Sequence, residues 1–237
     1  MFDLDRLDDL FARGARTLLL TQPHNPLGHV YRRAELEGIR DVVVRHGGRV
    51  ISDEIHAPLV LPGAEQVPYL SLPGTADHAV AVLAASKAFN TAGLRCAQIV
   101  TDHPATRDRL LDVPMARNDS WSPLGEIAAV AAYAEGDDWL ASLVTRLDEQ
   151  RTLLAALLAE HLPQARMRPL MATYLAWLDL RTYGHDDPAA VALEKGRVQL
   201  EPGDRYQAGL RGHVRLNLAT SPDRLTEIVR RLAPSLG

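Results

Sequence analysis

The sequence contains very little cysteine: Cys96 is the single one among 237 residues. One cysteine excludes an intramolecular disulfide bond and a cysteine metal cluster. The nine histidines show no ligand spacing such as His-x-x-x-His, so a metalloenzyme is a poor interpretation of the chain. We therefore expect no metal site.

The sequence also lacks a basic excess and a long apolar run. Its formal net charge is -4, which argues against nucleic-acid and membrane-surface binding, because both require a concentrated basic patch. No apolar run approaches the roughly 18 residues of a membrane span. The chain is acidic from its first residues and lacks the basic start of a signal peptide. We expect a cytoplasmic protein that binds neither nucleic acid nor membrane.

What the sequence does contain is an alternation of helix and strand patterns. With 46% apolar residues the chain can bury a core. Early helices and strands alternate, which predicts an α/β fold with a mostly parallel sheet; they are helices 4–13 and 32–46 and strands 17–21, 49–52, 79–85 and 97–101. The remainder is predicted to contain helices at 104–113, 123–135, 138–161, 188–195 and 222–232, and strands at 172–180 and 197–200.

Polar side chains stand where the first two predicted strands end. A loop rich in proline follows the first strand and could aim Asn25 into a cleft, although a plain turn is the alternative. Asp53 directly follows the strand at 49–52, where a carboxylate must be paired or neutralised. It would either meet a cationic ring nitrogen or serve as a cap. His56 could face the same cleft, but a histidine there is more often structural.

The run at 79–85 leads into Ser86 and Lys87, which predicts a buried strand that ends at the lysine. Arg95 follows eight residues later. An amine at the mouth of a buried strand, with a guanidinium nearby, suits a Schiff base with a carbonyl cofactor whose phosphate the arginine binds. A solvated surface lysine is the alternative. Arg215 lies in an alternating strand pattern, on a face that is either a cleft or solvent.

Four motifs in register resemble the fold-type I pyridoxal-phosphate enzymes of the aminotransferase class I/II superfamily. PHNPLG at 23–28, DEIH at 53–56 and SKAFNTAGLR at 86–95 are similar specifically to the MalY/PatB branch of cystathionine beta-lyase-type C–S lyases. VRLNLA at 214–219 is similar to the segment that supplies the substrate-carboxylate arginine of that family. The resemblance therefore covers nearly the whole chain.

The resemblance implies a role for each residue at these positions. Lys87 would hold pyridoxal 5′-phosphate as a Schiff base and would afterwards move the substrate α-proton. Asp53 would pair with the pyridine nitrogen, and Asn25 would donate a hydrogen bond to the 3-oxygen of the ring. Arg95 and Ser86 would bind the phosphate.

Two further roles follow from the same resemblance. Arg215 would bind the substrate α-carboxylate as a bidentate fork. His56 stands where many relatives place a tyrosine near the 3-oxygen, so a cofactor contact is implied for it less directly. Many aminotransferases have a phosphate-binding serine where this chain has Ala84, which favours the lyase branch.

The resemblance also implies a domain arrangement and an oligomeric state. It predicts a partial cofactor-binding large domain at 1–135, a bridging helix at 136–160 and a small C-terminal α+β domain at 161–237. It further implies a homodimer. Family members extend further at the N-terminus, where they carry a phosphate-holding loop and an aromatic residue that stacks on the ring. We therefore expect exposed apolar surface and weak or absent activity.

Three functional hypotheses follow. The first is a pyridoxal-phosphate-dependent C–S β-lyase that converts a thioether amino acid into a thiol, pyruvate and ammonia. The second is an aminotransferase of the same fold that passes an amino group to a 2-oxo acid. The third is a non-catalytic fragment that binds a homologous subunit.

Overall fold

The computed structural model describes residues 2–113 and 121–237. Contacts between Cα atoms divide the chain into two compact units. Unit 1 comprises Met1–Pro23, Val30–Val60 and Glu65–Ala141, and unit 2 comprises His24–His29, Leu61–Ala64 and Ser142–Gly237. The domain boundaries expected from the sequence remain a prediction. Residues 1 and 114–120 of the expected large domain lie outside the described residues.

Unit 1 alternates helices and strands, as the sequence predicts. Its elements are α1 (Leu4–Ala12), β1 (Thr17–Thr21), α2 (Arg33–Arg45), β2 (Arg49–Asp53), β3 (Ala79–Leu83), β4 (Gln98–Val100), α3 (Pro104–Leu111), α4 (Pro123–Glu135) and the first turn of α5 (Asp137–His161). The Asp3 side chain caps α1 by accepting a 2.8 Å hydrogen bond from the backbone N–H of Arg6. Ser122 caps α4 in the same way, at the residue before the predicted start.

The sheet of unit 1 has the order β1-β2-β3-β4. The first three strands run parallel, with Thr21 opposite Asp53 and Asp53 opposite Val82, and β4 is antiparallel to β3. The expected mostly parallel sheet is confirmed. In a parallel sheet the carboxyl ends of neighbouring strands lie at one edge. The segments that follow β2 and β3 therefore leave the sheet at the same edge.

One face of this sheet carries the core of unit 1. Leu20 and Val50 on the strands pack with Leu36, Ile39 and Val43 of α2, and the cluster continues into α1. The helical periodicity at residues 32–46 predicts this packing, since it places the apolar residues of α2 on one side.

Apolar side chains on the other face of the sheet are exposed. Leu19 is 65% exposed and its register partner Ile51 is 37% exposed. Along β2 the residues alternate between a buried and a more exposed face, and Ile51 lies on the more exposed one. On α4, Leu124, Ile127 and Val130 recur every three residues and are 62–68% exposed. The expected exposed apolar surface is therefore present.

Unit 2 is built on a second sheet, with the order β5-β6-β8-β7. Its elements are most of α5, β5 (Arg166–Met167), β6 (Leu175–Asp179), α6 (Pro188–Gly196), β7 (Glu201–Pro202), β8 (His213–Asn217) and α7 (Pro222–Leu236). All three strand pairings are antiparallel. The helices α6 and α7 pack against each other, and Gly196 allows the close approach because a Cβ there would lie 3.0 Å from the carbonyl oxygen of Arg231. The expected small α+β unit is confirmed.

Several strand limits differ from the sequence-based prediction. The strand predicted at 197–200 is wrong: Arg197 caps α6 in a left-handed conformation, the residues up to Leu200 are unpaired, and the ladder begins at Glu201. The strand predicted at 79–85 ends at Leu83, so Lys87 lies in a turn beyond it and not at its last residue. The strand predicted at 172–180 is limited to Leu175–Asp179.

Within the described ranges, no helix combines the length and the apolar character that a membrane crossing requires.

Candidate functional site

Asp53 is the last residue of β2, at the carboxyl edge of the parallel sheet. Its half-buried carboxylate accepts a 3.2 Å hydrogen bond from the backbone N–H of Ile55. It forms no ion pair with any residue that the structure describes. A carboxylate in this position can still accept a cationic partner.

Glu54 is the neighbouring carboxylate, and it serves a different purpose. It is only 3% exposed. Its Oε1 accepts hydrogen bonds from Ser52 Oγ at 2.8 Å, Tyr69 N at 3.0 Å and Gln22 Nε2 at 3.1 Å, and its Oε2 accepts a bond from Gln66 Nε2 at 3.4 Å. A buried carboxylate requires such donors. Glu54 therefore ties β2 to the segments around it, just beyond Asp53.

His56 lies in the turn that follows and is buried. It precedes a short 3-10 helix, Ala57–Leu59, and its carbonyl oxygen accepts a hydrogen bond from Leu59 N at 2.9 Å. The backbone of His56 thus helps to form the turn. A cofactor contact by its side chain remains a prediction.

Lys87 lies in a turn at residues 85–90, beyond the end of β3. Phe89 N donates to the carbonyl oxygen of Ala85 at 2.9 Å, and Thr91 N donates to that of Ser86 at 3.1 Å. The indole N–H of Trp139 donates to the carbonyl oxygen of Ala88 at 3.1 Å, which fixes the turn from α5.

The side chains of Lys87 and Ser86 are half-buried within this turn. The Lys87 amine makes no hydrogen bond or ion pair with residues 2–113 or 121–237. A half-buried lysine on a turn, without a carboxylate partner in the described chain, is available for a ligand. This arrangement differs from the solvated surface lysine that the sequence alone left open.

Arg95 follows a 3-10 turn, Ala92–Leu94, and adopts a left-handed backbone conformation with φ of 50°. Its carbonyl oxygen accepts a hydrogen bond from Ser122 N at 3.3 Å, so the start of α4 fixes its backbone. Its guanidinium is exposed and pairs with no carboxylate in the described part of the chain. An unpaired guanidinium suits an anionic group such as a phosphate.

Asn25 and Arg215 meet in unit 2. The guanidinium Nη1 of Arg215 donates a hydrogen bond of 2.9 Å to Oδ1 of Asn25. Asn25 is held there because its loop docks on the segment before β6: Met171 N and Ala172 N donate to the carbonyl oxygen of Gly28, at 2.9 Å and 3.2 Å. A side chain at Gly28 would collide with Leu170, and its φ of +62° also favours glycine.

Arg215 is half-buried on β8, and one aromatic ring, that of Tyr206, lies against its guanidinium. Its Cζ atom lies 5.4 Å from the centroid of the Tyr206 ring. Burial raises the pKa of Tyr206, and the positive charge of Arg215 offsets part of that rise. Burial also raises the pKa of Tyr174, and the positive charge of Arg215 again offsets part of that rise. Arg215 forms no ion pair with a carboxylate of the described residues, so it is suited to bind one from a ligand.

The structure thus places the predicted residues in two groups. Asp53, His56, Ser86, Lys87 and Arg95 belong to unit 1, whereas Asn25 and Arg215 belong to unit 2 and touch each other. Sequence reasoning missed three contributors: Glu54, Trp139 and Tyr206. The DEIH motif displayed Glu54, but its donors lie at distant positions, and no local pattern marks Trp139 or Tyr206 as partners of a site residue.

Comparison with known protein families gives a match over nearly the whole chain. A family profile described as aminotransferase class I and II matches residues 2–232. A Mycobacterium tuberculosis protein provisionally named cystathionine beta-lyase is 42% identical over 260 residues, which covers 99% of this chain and 63% of that protein. Cystathionine beta-lyase PatB of Bacillus subtilis is 35% identical, over 99% of this chain and 62% of the relative.

A solved structure agrees with these sequence matches. The crystal structure of a Corynebacterium diphtheriae protein, provisionally named a PLP-dependent beta-cystathionase, superposes with a TM-score of 0.93 at 36% identity. The match covers 99% of this chain and 63% of that protein. The expected fold class and the expected resemblance are confirmed. The chain spans 62–63% of the length of these relatives.

Proposed function

The chain belongs to the class I and II aminotransferase family, and from this premise we propose that it supports the chemistry of a pyridoxal-5′-phosphate-dependent C–S β-lyase. The substrate would be a thioether amino acid of the cystathionine type, and the products a thiol, pyruvate and ammonia. The observation that carries the proposal is the pair Asp53 and Lys87. Asp53 ends β2 and Lys87 lies in the turn after the neighbouring parallel strand β3, and neither forms an ion pair among the described residues.

The available side chains fit the chemical groups of this cofactor. An unpaired carboxylate at Asp53 would hold the protonated pyridine nitrogen. The unpaired amine of Lys87 would bond to the aldehyde carbon, and Arg95, with the Ser86 hydroxyl, would bind the phosphate. The Oδ1 atom of Asn25 already accepts a bond from Arg215. Its amide nitrogen is therefore directed to donate, as a bond to the 3-oxygen requires.

The chain's own residues would then divide the reaction between them. Arg215 would bind the substrate carboxylate and fix the orientation of Cα. The amine of Lys87 would take the proton from Cα, and Asp53 would keep the proton on the ring nitrogen. The cofactor, when bound, supplies the electron sink that makes Cα acidic. The electron pair left by the Cα proton would form a Cα=Cβ double bond as the Cβ–S bond breaks. The sulfur would leave with the bonding pair and take a proton as the thiol, and water would convert the remaining enamine to pyruvate and ammonia.

The aminotransferase hypothesis remains the second candidate, because the family profile carries that description and the same residues serve both reactions. In a transamination the proton taken from Cα returns to the cofactor, and a keto acid leaves. The two reactions differ in their need for an acceptor. A lyase releases pyruvate and thiol from L-cystathionine without a 2-oxo acid, whereas an aminotransferase turns over only when one is present.

The sequence offers a matched control for the cofactor test, since its two lysines are Lys87 and Lys195. Pyridoxal phosphate should produce a Schiff-base absorbance band in the parent and in Lys195→Ala, but not in Lys87→Ala. Borohydride reduction followed by peptide mass spectrometry should place the cofactor on Lys87. Loss of the band in Lys195→Ala, with retention in Lys87→Ala, would refute the assignment.

Product analysis completes the test. Pyruvate and thiol formed from L-cystathionine without an acceptor support the lyase, and product that depends on an acceptor supports the aminotransferase. A protein that shows neither band nor product would contradict the proposal for this chain and favour the non-catalytic hypothesis. Co-purification of a homologous subunit would support that hypothesis directly.

A cytoplasmic homodimer is also part of our proposal, and the family resemblance alone supports it. Light scattering at several protein concentrations would measure the mass in solution. A mass that stays at 26.0 kDa, the mass of one chain, would contradict the dimer.

A further inference from the structure

A turn in unit 2 folds back onto the strand that carries Arg215. The turn comprises Gly203–Arg205 and ends at Tyr206, whose N–H donates to the carbonyl oxygen of Gly203 at 2.9 Å. Gly203 is buried, and a Cβ at this position would collide with the carbonyl oxygen of Leu210 and lie 3.0 Å from Cβ of His213. Because only glycine allows this approach, the two residues that end the turn, Arg205 and Tyr206, are held close to β8.

The ring of Tyr206 is fixed against a buried tryptophan. Its centroid lies 5.5 Å from that of Trp177, with the planes at 88°. Trp177 is only 5% exposed and lies directly opposite Arg215 in the β6–β8 ladder. The face of the Tyr206 ring meets the guanidinium of Arg215 at 5.4 Å. A ring held in this way restricts the guanidinium and attracts its charge.

Glu201 is the carboxylate that could pair with Arg215 in place of a ligand. The two residues are directly opposite in the β7–β8 ladder, where facing Cβ atoms in antiparallel strands lie roughly 5 Å apart. The Glu201 carboxylate nevertheless pairs with Arg205, at 3.1 Å from Nε to Oε1. Arg215 instead donates to the neutral side chain of Asn25. The nearest carboxylate in the ladder is thus engaged elsewhere.

We infer that Arg205 and Tyr206 are positioning residues for Arg215, and that together they keep its guanidinium oriented and available for a ligand carboxylate. Tyr206 supplies a ring against one side of the guanidinium. Arg205 holds Glu201, which would otherwise compete with the ligand. The inference deepens the proposed function, because it rests on the role of Arg215 in binding the substrate carboxylate.

The inference can be tested without the cofactor and without turnover. The Nε–Hε group of Arg215 gives an NMR signal that Arg215→Lys identifies by its loss. Sodium acetate, titrated against sodium chloride at constant ionic strength, serves as the carboxylate probe. Near-UV circular dichroism and a thermal melt of each variant show that unit 2 remains folded.

We expect Tyr206→Leu to weaken acetate binding at Arg215 about threefold to tenfold, because a guanidinium without the ring must be ordered when acetate binds. Tyr206→Phe retains the ring and should stay within about twofold of the parent. The Arg215 signal should also shift in Tyr206→Leu before acetate is added, because the ring current is lost. Binding by Tyr206→Leu equal to that of the parent would overturn the role of Tyr206.

The role of Arg205 has its own control and rescue. Arg205→Gln should weaken acetate binding about twofold to fivefold, a small effect because the Arg205 side of the pair with Glu201 is exposed to solvent. Arg211→Gln removes the same charge from an exposed pair with Asp186 and should change binding less. Glu201→Gln, added to Arg205→Gln, should restore the affinity. Equal effects of Arg205→Gln and Arg211→Gln, or no rescue, would overturn this role.

The outcomes of this test distinguish failure of the inference from failure of the proposed carboxylate-binding role of Arg215. If the Arg215 signal of the parent protein does not change when acetate is added, the role of Arg215 in binding a carboxylate is refuted, and the inference with it. A parent that responds, with variants that respond equally, would refute the inference alone. The lysine-bound cofactor and the pyruvate assay do not depend on either result.

Discussion

The guanidinium of Arg215 donates a 2.9 Å hydrogen bond to the side-chain oxygen of Asn25, although 190 positions separate the two residues in the sequence. The contact determines how the amide of Asn25 is oriented, because only the oxygen can accept. It also occupies one donor of Arg215 and leaves the others for a ligand. The sequence assigned Asn25 to the cofactor and Arg215 to the substrate, and the structure shows that the two side chains contact each other.

This contact predicts an energetic coupling between the two side chains. Asn25→Ala removes the acceptor, and we expect it to lower the free energy of unfolding by about 1 kcal/mol. Combined with Arg215→Gln, it should cost less than the sum of the single substitutions, with a coupling of about 1 kcal/mol. Urea unfolding of the parent, both single variants and the double variant measures the cycle. Additive effects would show that the contact contributes nothing to stability.

The four donors around Glu54 predict a large difference between two substitutions. Glu54→Leu leaves the Ser52 hydroxyl and the Tyr69 backbone N–H without an acceptor and removes one of the two acceptors of Gln22, which should cost roughly 3–5 kcal/mol of unfolding free energy. Glu54→Gln keeps one acceptor and should cost less.

Glu37 on α2, whose side chain is 38% exposed, provides the control for Glu54. Glu37→Leu should change the free energy of unfolding by less than about 0.5 kcal/mol, because a surface pair contributes little. A Glu54→Leu variant as stable as Glu37→Leu would contradict the structural role of the buried carboxylate.

The bond from Trp139 to the Lys87 turn predicts a change in local dynamics. Trp139→Phe keeps the aromatic bulk but removes the indole donor to Ala88, which should destabilise the turn by about 1 kcal/mol. The amides of Phe89 and Thr91, both bonded within the turn, should then exchange with solvent about fivefold faster. Hydrogen-exchange mass spectrometry would measure this. Unchanged exchange at both amides would show that the indole bond does not restrain the turn.

Asp179 at the end of β6 predicts a pH-dependent contribution to stability. Hydrogen bonds from the Arg181 guanidinium lower the pKa of Asp179 to about 2, from an ordinary value of about 3.9. A depressed carboxyl pKa stabilises the folded state above the ordinary value, and the gain is lost as the pH falls toward 2. Asp179→Asn should therefore be less stable than the parent at pH 6, by about 0.5–1 kcal/mol.

The difference between Asp179→Asn and the parent should shrink as the pH falls from 4 toward 2. Asp204→Asn, in the same unit, controls for the removal of one negative charge. Unfolding free energies measured at pH 6, 4 and 3 would reveal the trend. A difference that grows on acidification would mean that Asp179 does not stabilise the fold as a carboxylate.

The sequence predicts the elements of this chain well where local pattern controls the outcome. The helix predicted at 123–135 has the observed limits, because Ser122 is a good cap, proline suits the first position and Gly136 ends the helix. The strand at 17–21 is likewise as predicted.

Prediction fails where pairing or distant partners decide the structure. At 197–200 the side chains of Val198 and Leu200 are buried and those of Arg197 and Gln199 are exposed, which is the alternation of a strand. Yet Val198 N bonds to the carbonyl oxygen of Ala192 on α6, so packing against a helix produces this pattern without a ladder. Periodicity reports which side is buried and not what covers it.

The candidate site shows the same division. Asp53 and Lys87 are conspicuous because each is a charged residue that follows a predicted strand, and Arg215 because it lies in an alternating strand pattern. Tyr206 and Glu201 are not, since their relation to Arg215 depends on the turn at Gly203 and on the register of β7. Charge compensation among residues far apart in the sequence has no local signature.

The exposed apolar side chains on the first sheet and on α4, among them Leu19, Leu124 and Ile127, affect the choice of unfolding assay. Dyes such as ANS and SYPRO Orange fluoresce when they bind exposed apolar surface, and the folded chain already presents such surface. A dye-monitored melt would start from a bright baseline and could hide the transition. Tryptophan emission or calorimetry is the sounder readout for comparing variants of this chain.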